Sequence, residues 1–370
     1  MPQKGDEFFM RRALELASRA WGDTHPNPMV GAVIAKDGRI IAEGWHRRDG
    51  GAHAEINALK NLRESPQGAA IYVTLEPCST RGRTGACTDA IIGSGISRVV
   101  IGARDPNPAH AGRAPGIFRA AGIECSEGVL ARECADINMI FNFSIAHKTA
   151  MLAVKYAQTS NGKIAERAGE PSRITEAEAR AHVMKYRRLF PAVGVGFGTL
   201  VSDNPALTIR GQGPDQCRLR LLFDRSLSSA SLDIRRFRLF SDPFSENTAV
   251  VCDASAPKDA VKKLEKKGVR VIRLPSAKES PGDFWKTLKK TLFDMRITGV
   301  IVEGGAKILT SAVSSGEADY AFEYTSPRIF PDSALDAFAC KKPEIGGPEV
   351  EMLGADTCRR GFIINRPDAP

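Results

Sequence analysis

Ala70-Ile71-Tyr72-Val73-Thr74-Leu75-Glu76-Pro77-Cys78 decides the first half of the chain: an unbroken β-rich run that stops at a Pro-Cys pair. Upstream, His53-Ala54-Glu55 opens a predicted helix reaching about Leu62. Downstream, Cys87 precedes a predicted helix from Thr88 to about Gly93. Working outward, Met29 to Lys36 and Arg39 to Trp45 are β-rich segments around Asp37-Gly38, a strong hairpin signal. The first 23 residues predict a helix, with Asp6 as N-cap and Phe9, Ala13, Leu16, Ala17 and Ala20 at helical spacing. After Cys87 come a strand at Val99-Val100-Ile101, a helix near Ala114 to Ala121, a short strand around Ile123 and a helix from about Leu130 to Phe143. Strands alternating with helices at this spacing predict an α/β sheet covered on both faces.

A fresh strand, Met151 to Tyr156, starts a second α/β series. Later strands are expected at Ala192 to Gly196, Leu219 to Phe223, Thr248 to Cys252, Val269 to Leu274, Gly299 to Val302 and Ala321 to Tyr324. The predicted domains are 1–146 and 147–370, in keeping with a length too great for one ordinary domain. The composition, 42% hydrophobic and 26% charged, is that of a globular protein. No apolar run approaches the roughly 18 residues of a membrane span. The opening reads as an amphipathic helix rather than a signal peptide, so a cytoplasmic location is expected.

The net charge of +9 raises the question of nucleic acid. Residues 1–146 hold 17 basic and 16 acidic side chains, so the excess lies in the second half, away from His53 and its partners. Much of it sits in helix-like runs such as Lys262-Lys263-Leu264-Glu265-Lys266-Lys267, which fit a solvated face. A phosphorylated small molecule accounts for the rest more simply. Six of the eight cysteines are scattered and read as inert thiols; Cys78 and Cys87 stand apart because of their neighbours.

His-x-Glu followed by Pro-Cys and a second Cys is the pattern of a zinc nucleobase deaminase. One His and two Cys fill three of zinc's four tetrahedral positions and leave one open for water. His53, Cys78 and Cys87 are therefore the expected Zn2+ ligands, and both thiolates are expected near helix starts, where backbone N–H groups favour negative charge. Glu55 is too close to His53 to share a helix face, but from the first turn its carboxylate reaches the same spot. It is the expected general base and acid: it takes a proton from water and hands it to departing ammonia. His-Ala-Glu alone carries little weight; the combination carries the assignment. The eight residues between the cysteines, Ser79 to Ala86, depart from the shorter Cys-x-x-Cys form.

At this density the sequence resembles a known family, the bifunctional riboflavin-biosynthesis deaminase/reductase. The resemblance runs through Thr24-His25-Pro26-Asn27-Pro28-Met29-Val30-Gly31, Gly44-Trp45-His46, His53-Ala54-Glu55, Leu75-Glu76-Pro77-Cys78-Ser79, Gly82-Arg83-Thr84, Cys87-Thr88-Asp89-Ala90 and Asp105-Pro106-Asn107-Pro108. It accounts for the longer Cys–Cys spacing. It implies a cytidine-deaminase-like three-layer domain whose substrate is a diaminopyrimidinone bearing a ribose 5-phosphate. Asn27 and His46 fall where that family contacts substrate. Thr80 stands where the family usually has His.

In the second half the resemblance is thinner: Lys155, Ser160-Asn161-Gly162-Lys163-Ile164-Ala165, Arg187, Gly198-Thr199, Asp203-Asn204-Pro205, Leu207-Thr208, Arg210 and Val302-Glu303-Gly304-Gly305-Ala306. It implies a dihydrofolate-reductase-like α/β domain that moves a hydride from NADPH to the ribose C1. Substrate contacts are implied at Arg187, Leu207, Arg210 and Glu303, and cofactor contacts at Ala157, Arg173, Thr199, Asp203, Gly305 and Ala306. The residues themselves agree: guanidinium suits a substrate phosphate, and glycines after a strand let backbone N–H groups approach a cofactor phosphate. Asn161 replaces the family's usual Asp, while Pro171 and Arg173 replace a Ser and an aromatic. Arg173 is a candidate for the cofactor's extra phosphate.

Three readings follow. The first is two successive steps of riboflavin synthesis on a small phosphorylated pyrimidine, with a homo-oligomer implied by the resemblance and neither nucleic acid nor membrane as partner. The second is a deaminase whose second domain has lost hydride transfer. The third, an RNA-directed deaminase, is opposed by the lack of aromatics interleaved with Arg in the basic half.

Overall fold

Asp37 and Gly38, at φ 50° and 75°, make the tight turn that their sequence announces. The computed structural model describes residues 5–80, 85–108, 110–167, 169–170, 172–211, 214–275 and 281–364, and the chain divides into two compact units, Met1–Lys148 and Thr149–Pro370.

The first unit runs α1 (Asp6–Ser18), β1 (Gly31–Lys36), β2 (Arg39–Trp45), α2 (Ala54–Lys60), β3 (Ala70–Leu75), α3 (Cys87–Gly93), β4 (Arg98–Ala103), α4 (Arg113–Ala120), β5 (Glu124–Glu127), α5 (Ala131–Asp136) and α6 (Met139–His147). Its five strands lie in the order β2-β1-β3-β4-β5; β1 is antiparallel to β2 and β3, whereas β3, β4 and β5 are parallel. Val33, Ile34, Ile71, Val73, Val99 and Ile101 share one buried core with Met10, Ala13 and Leu16 of α1. Burying each large aliphatic side chain contributes about 1.5–3 kcal/mol. Gly44 lets α2 lie directly on β2: a Cβ there would meet Ala58 N at 2.3 Å and Ala54 O at 2.4 Å. The helix carrying Glu55 is thereby fixed close to the sheet.

Two expectations change here. Asp6 is not the N-cap of α1; Gly5 holds that position, and Asp6 is buried. Its carboxylate takes both guanidinium nitrogens of Arg98 (2.7 and 2.9 Å) and the Tyr72 hydroxyl (3.0 Å). The predicted helix from Leu130 to Phe143 is interrupted between α5 and α6. Asn138 sits in the break and clamps the Met29 backbone, accepting from its N–H at 2.7 Å and donating to its carbonyl at 2.8 Å.

The second unit runs β6 (Met151–Thr159), β7 (Lys163–Ala165), α7 (Ala177–Leu189), β8 (Ala192–Gly196), α8 (Phe197–Asp203), β9 (Leu219–Phe223), α9 (Arg238–Ser241), β10 (Thr248–Asp253), α10 (Lys258–Glu265), β11 (Arg270–Leu274), α11 (Pro281–Asp294), β12 (Gly299–Glu303), α12 (Ala306–Ser314), β13 (Tyr320–Ser326), β14 (Leu335–Asp336), β15 (Glu349–Leu353) and β16 (Asp356–Phe362). Its large sheet has the order β11-β10-β9-β8-β12-β6-β13-β16-β15 among the described residues. The run from β11 to β13 is parallel, and β16 and β15 close it antiparallel. Trp285, Leu288, Leu152, Val154, Val300 and Val302 form its core. The β16–β15 hairpin has no counterpart among the expected strands: Glu349–Leu353 is an exposed, acidic edge rather than an apolar run.

Candidate functional site

Parallel strands deliver their loops to one end of a sheet, and ligands of α/β proteins bind at the carboxyl ends of strands. The first cluster forms where β3 stops. Cys78 follows Leu75 by three residues, Cys87 is the first residue of α3, and His53 occupies the N-cap position of α2. Their donor atoms all lie within 4.8 Å of one another. His53 Nδ1 is 3.6 Å from Cys78 Sγ and 3.3 Å from Cys87 Sγ. Tetrahedral zinc with ordinary Zn–N and Zn–S bonds sets N···S separations near ~3.6 Å, so the donor set fits that ion in chemistry and in span.

One helix start, not two, serves both sulfurs. Cys78 lies in the loop after β3 and rests against the first turn of α3, accepting the Cys87 N–H at 3.4 Å while its carbonyl accepts the Thr88 N–H. Hydrogen bonding with Cys87, with help from His53, draws the Cys78 thiol well below its ordinary value. The same hydrogen bond, together with burial, pushes the Cys87 thiol up. His53 is raised by its bond to Cys78. A neighbouring thiolate and imidazole of this kind are ready donors for a divalent cation. Glu55, only 3% exposed, hydrogen-bonds the Cys87 thiol, and burial pushes its carboxyl pKa up. A buried acid thus touches a metal-ligand position.

Asn27 and His46 are brought together beside this cluster. His46 Nδ1 donates to the Ala52 carbonyl at 3.0 Å, which leaves Nε2 to accept from Asn27 Nδ2 at 3.3 Å. Burial lowers the His46 pKa, consistent with that neutral form. The His46 and His53 rings meet edge to face at 5.7 Å, and Asn27 also donates to Asp49 at 3.0 Å. Asn57 Nδ2 fixes the connecting loop through the Trp45 and Ala52 carbonyls. Thr80 is exposed, whereas Gly82, Arg83 and Thr84 lie outside the described residues.

Reading by residue type left Glu76 without a role. Its buried carboxylate accepts backbone N–H groups from Asp105 (3.2 Å), Gly112 (2.9 Å) and Ala114 (3.0 Å). A Glu immediately before Pro-Cys at the end of a buried strand was the available signal.

In the second unit the implied residues fall into two groups at the carboxyl ends of β6, β8 and β12. Glu303, the last residue of β12, stands in register with Lys155 on β6. Arg187 of α7 grips Glu303 with two bonds (3.0 and 2.8 Å) and donates to the Thr208 carbonyl at 2.7 Å. Two residues expected to meet substrate separately are therefore one buried pair, with much of the Arg187 fork already engaged. Burial pushes Glu303 up, but Arg187, Lys155 and Arg210 outweigh it and hold the carboxylate below its ordinary value. Burial lowers Lys155. Leu207 is buried at φ 53°, a conformation uncommon for leucine, and Arg210 is exposed.

The second group is Thr199, Gly305 and Ala306. Thr199 Oγ1 accepts the Gly305 N–H at 3.0 Å, and Ala306 opens α12. Asp203 is exposed at the end of α8, and Ala157 stands opposite Tyr324 in the β6–β13 register. Arg173 is exposed, and its carbonyl accepts from Arg328 at 2.8 Å. Pro171 lies outside the described residues. Asn161 has a structural use that Asp lacks: Nδ2 donates to the Phe330 carbonyl at 2.8 Å, while Oδ1 accepts from the Thr159 hydroxyl at 2.7 Å.

Comparison with known proteins gives the same two parts. The family "Cytidine and deoxycytidylate deaminase zinc-binding region" matches residues 3–103, and "RibD C-terminal domain" matches residues 150–334. The riboflavin biosynthesis protein RibD of Actinobacillus pleuropneumoniae is 39% identical over 348 residues, 94% of this chain and 89% of that protein. RibD of Escherichia coli is 32% identical over 366 residues, 95% and 98% of the two chains. The crystal structure of a diaminohydroxyphosphoribosylaminopyrimidine deaminase/5-amino-6-(5-phosphoribosylamino)uracil reductase from Thermotoga maritima is 35% identical and superposes with a TM-score of 0.81, covering 97% of this chain and 98% of that one. Acinetobacter baumannii RibD gives a TM-score of 0.82 at 30% identity with the same coverage. No helix among the described residues is long and apolar enough to cross a membrane.

Proposed function

Because the chain belongs to the RibD family of riboflavin-biosynthesis proteins, we propose a division of labour between its two halves. The chain is a bifunctional riboflavin-biosynthesis enzyme with a zinc-binding deaminase domain and an NADPH-dependent reductase domain. We assign deamination of 2,5-diamino-6-(5-phosphoribosylamino)pyrimidin-4-one to residues 1–146. Reduction of the deaminated ribosyl product to its ribityl form falls to residues 147–370.

His53, Cys78 and Cys87 would hold the zinc, which would supply Lewis acidity toward water. Glu55 carries the proton. It accepts a proton from the attacking water and passes it to the ring nitrogen, then moves the remaining hydroxyl proton to the amino group, which leaves as ammonia while the ring carbon becomes a carbonyl. Its burial supports the role, since a carboxyl whose pKa is raised is a stronger base toward water when ionised. Asn27 and His46 orient the pyrimidine from the side of the cluster. In the reductase half, Arg187 and Arg210 meet the substrate phosphate, and Leu207 and Glu303 contact other parts of the substrate. Ala157, Arg173, Thr199, Asp203, Gly305 and Ala306 meet NADPH. The enzyme works in the cytoplasm as a homo-oligomer; its free cysteines suit a reducing compartment, and family resemblance supports assembly.

The observation that carries this reading is the convergence of His53, Cys78 and Cys87 within 4.8 Å, beside a buried Glu55, in a chain that also holds the reductase half. The test is to supply the phosphoribosylated diaminopyrimidine and follow ammonia release and NADPH oxidation separately. Ammonia release that precedes NADPH consumption supports two steps. Ammonia without any NADPH decay, even with deaminated product added, overturns the reductase assignment.

A further inference from the structure

The loops after β3 and β4 leave the same end of the sheet side by side. Leu75 and Ala103 are register partners in that parallel pair, and the ladder continues one step to the Glu76 N–H on the Ala103 carbonyl at 2.9 Å. One loop carries Cys78 two residues later. The other runs from Asp105 to the start of α4. The Glu76 side chain ties the second to the first: its carboxylate holds the Asp105 N–H at one end of that loop and the Gly112 and Ala114 N–H groups at the other. The loop is a closed staple, with both ends gathered on one buried anion whose charge faces the first turn of α4. Asp105 follows Ala103 by two residues and Cys78 follows Leu75, the register partner of Ala103, by three, so the stapled loop leaves the sheet beside the loop that carries the metal-ligand cluster.

We propose that Glu76 is a positioning residue of the deaminase: it sets the height and orientation of the 105–114 loop against the cluster, and through that loop the fit of the pyrimidine. The proposal rests on the deaminase reading for its kinetic consequence, but not for its structural one. Glu76 accepts no proton in the reaction and touches none of the reacting atoms. A carboxylate is needed because both of its oxygens must accept from converging backbone donors. An amide can offer one acceptor and turns its NH2 group toward the remaining N–H.

Glu76→Gln, nearly isosteric, is the direct test on the full-length zinc-loaded protein. We expect KM for the diaminopyrimidine substrate to rise about 10-fold or more while kcat changes by less than about 5-fold and zinc stays at the wild-type level. Amide hydrogen exchange is expected to accelerate at residues 105–114 and to stay unchanged across β1 and β3. Glu76→Asp keeps the charge on a shorter stem and is expected to fall between the two. Unaltered exchange at 105–114 overturns the staple, whatever the wild-type enzyme does with substrate. Accelerated exchange with KM unchanged, or with kcat and zinc lost together, overturns the positioning role. Failure of the wild-type protein to release ammonia, with the exchange result intact, instead strikes the deaminase reading.

Discussion

The two candidate sites stand at the carboxyl ends of parallel strands in two different sheets, yet their charges are balanced in opposite ways. In residues 1–148, His53, Cys78 and Cys87 aim three donors at one point, so the cluster is completed by a cation from outside. In residues 149–370, Arg187 and Glu303 are both buried and already neutralise each other through two bonds. The contrast separates two kinds of active-site residue. A metal-ligand cluster on the rim of a sheet carries chemistry that the fold scarcely needs. A buried ion pair at the end of a central strand is part of the fold before it is part of any reaction, and its Arg is already partly engaged.

The largest effect tests the first half of that contrast. Glu55→Gln is expected to cut ammonia release by about 10²–10⁴-fold. Zinc content and thermal midpoint should stay close to wild type, because the amide removes a carboxyl that burial already disfavours as an anion. NADPH oxidation on supplied deaminated product should be unaffected. A variant that loses zinc or unfolds early would show that Glu55 supports the fold, and the contrast would fail. Cys87→Ser, by comparison, should lose the metal itself, read directly by metal analysis.

Next in size is the second half. Arg187→Met leaves the Glu303 carboxylate buried beside only Lys155 and the exposed Arg210, and breaking such a pair costs about 3–5 kcal/mol. The loss should appear in urea unfolding as an earlier transition of the second unit, with the first unit unmoved. Adding Glu303→Gln should recover part of it, since the unpaired charge is then gone. Additive losses in the double variant would mean that the two side chains are not a coupled unit.

Asn161→Asp probes a smaller term. It restores the family's usual residue but removes the donor to the Phe330 carbonyl and sets an anion against it, a cost of about 1–3 kcal/mol. Asn161 is therefore a clamp between the β6–β7 turn and the segment before β14. The variant should unfold earlier without gaining turnover. A faster reductase from Asn161→Asp would instead make position 161 a reaction residue.

How much was legible follows the same contrast. The metal cluster could be read because its residue types are rare together and each sits beside a strand end or a helix start that local sequence marks: Leu75 before Pro77-Cys78, His53 before α2, Cys87 at α3. The parallel strands were legible from apolar runs, and Ala192–Gly196 and Leu219–Phe223 stand where the pattern put them. What escaped depends on partners far along the chain. Asp6 reads locally as a cap, but Arg98 and Tyr72 claim it. Nothing near Asn138 announces that Met29 will need its amide, and so the helix break was missed. Among the described residues the Glu76 carboxylate has no local partner; its three donors lie 29 to 38 residues away. The Arg187–Glu303 pair spans 116 positions, so the sequence offered two contacts where the fold makes one. The β15–β16 hairpin is polar at the edge, and edge strands lack the apolar signal by which inner ones are recognised.

The smallest effect concerns a histidine that belongs to the second unit's packing. His182 on α7 shares a hydrogen bond with the Tyr324 hydroxyl at 2.9 Å and lies 3.2 Å from a carboxylate oxygen of Glu351. Burial lowers its pKa; Glu351 pulls the other way, while Lys185 and Arg360 add to the lowering. A histidine whose folded pKa lies below its unfolded value stabilises the protein above that unfolded value, about 6.5, and the contribution is lost as pH falls through the folded pKa. The second unit should therefore weaken on going from pH 7 toward pH 5, by at most about 1.4 kcal/mol per pH unit from this one group. His182→Asn should flatten that slope while leaving the first unit's transition where it was. A slope between pH 7 and pH 5 that survives the substitution would overturn His182 as its source; Glu303 would not supply it, because Arg187 and Lys155 hold it below its ordinary value and its contribution fades only once pH falls below the ordinary carboxylate value, about 4.3. Any further loss below that value would trace to the same buried pair that distinguishes this site from the metal-ligand cluster.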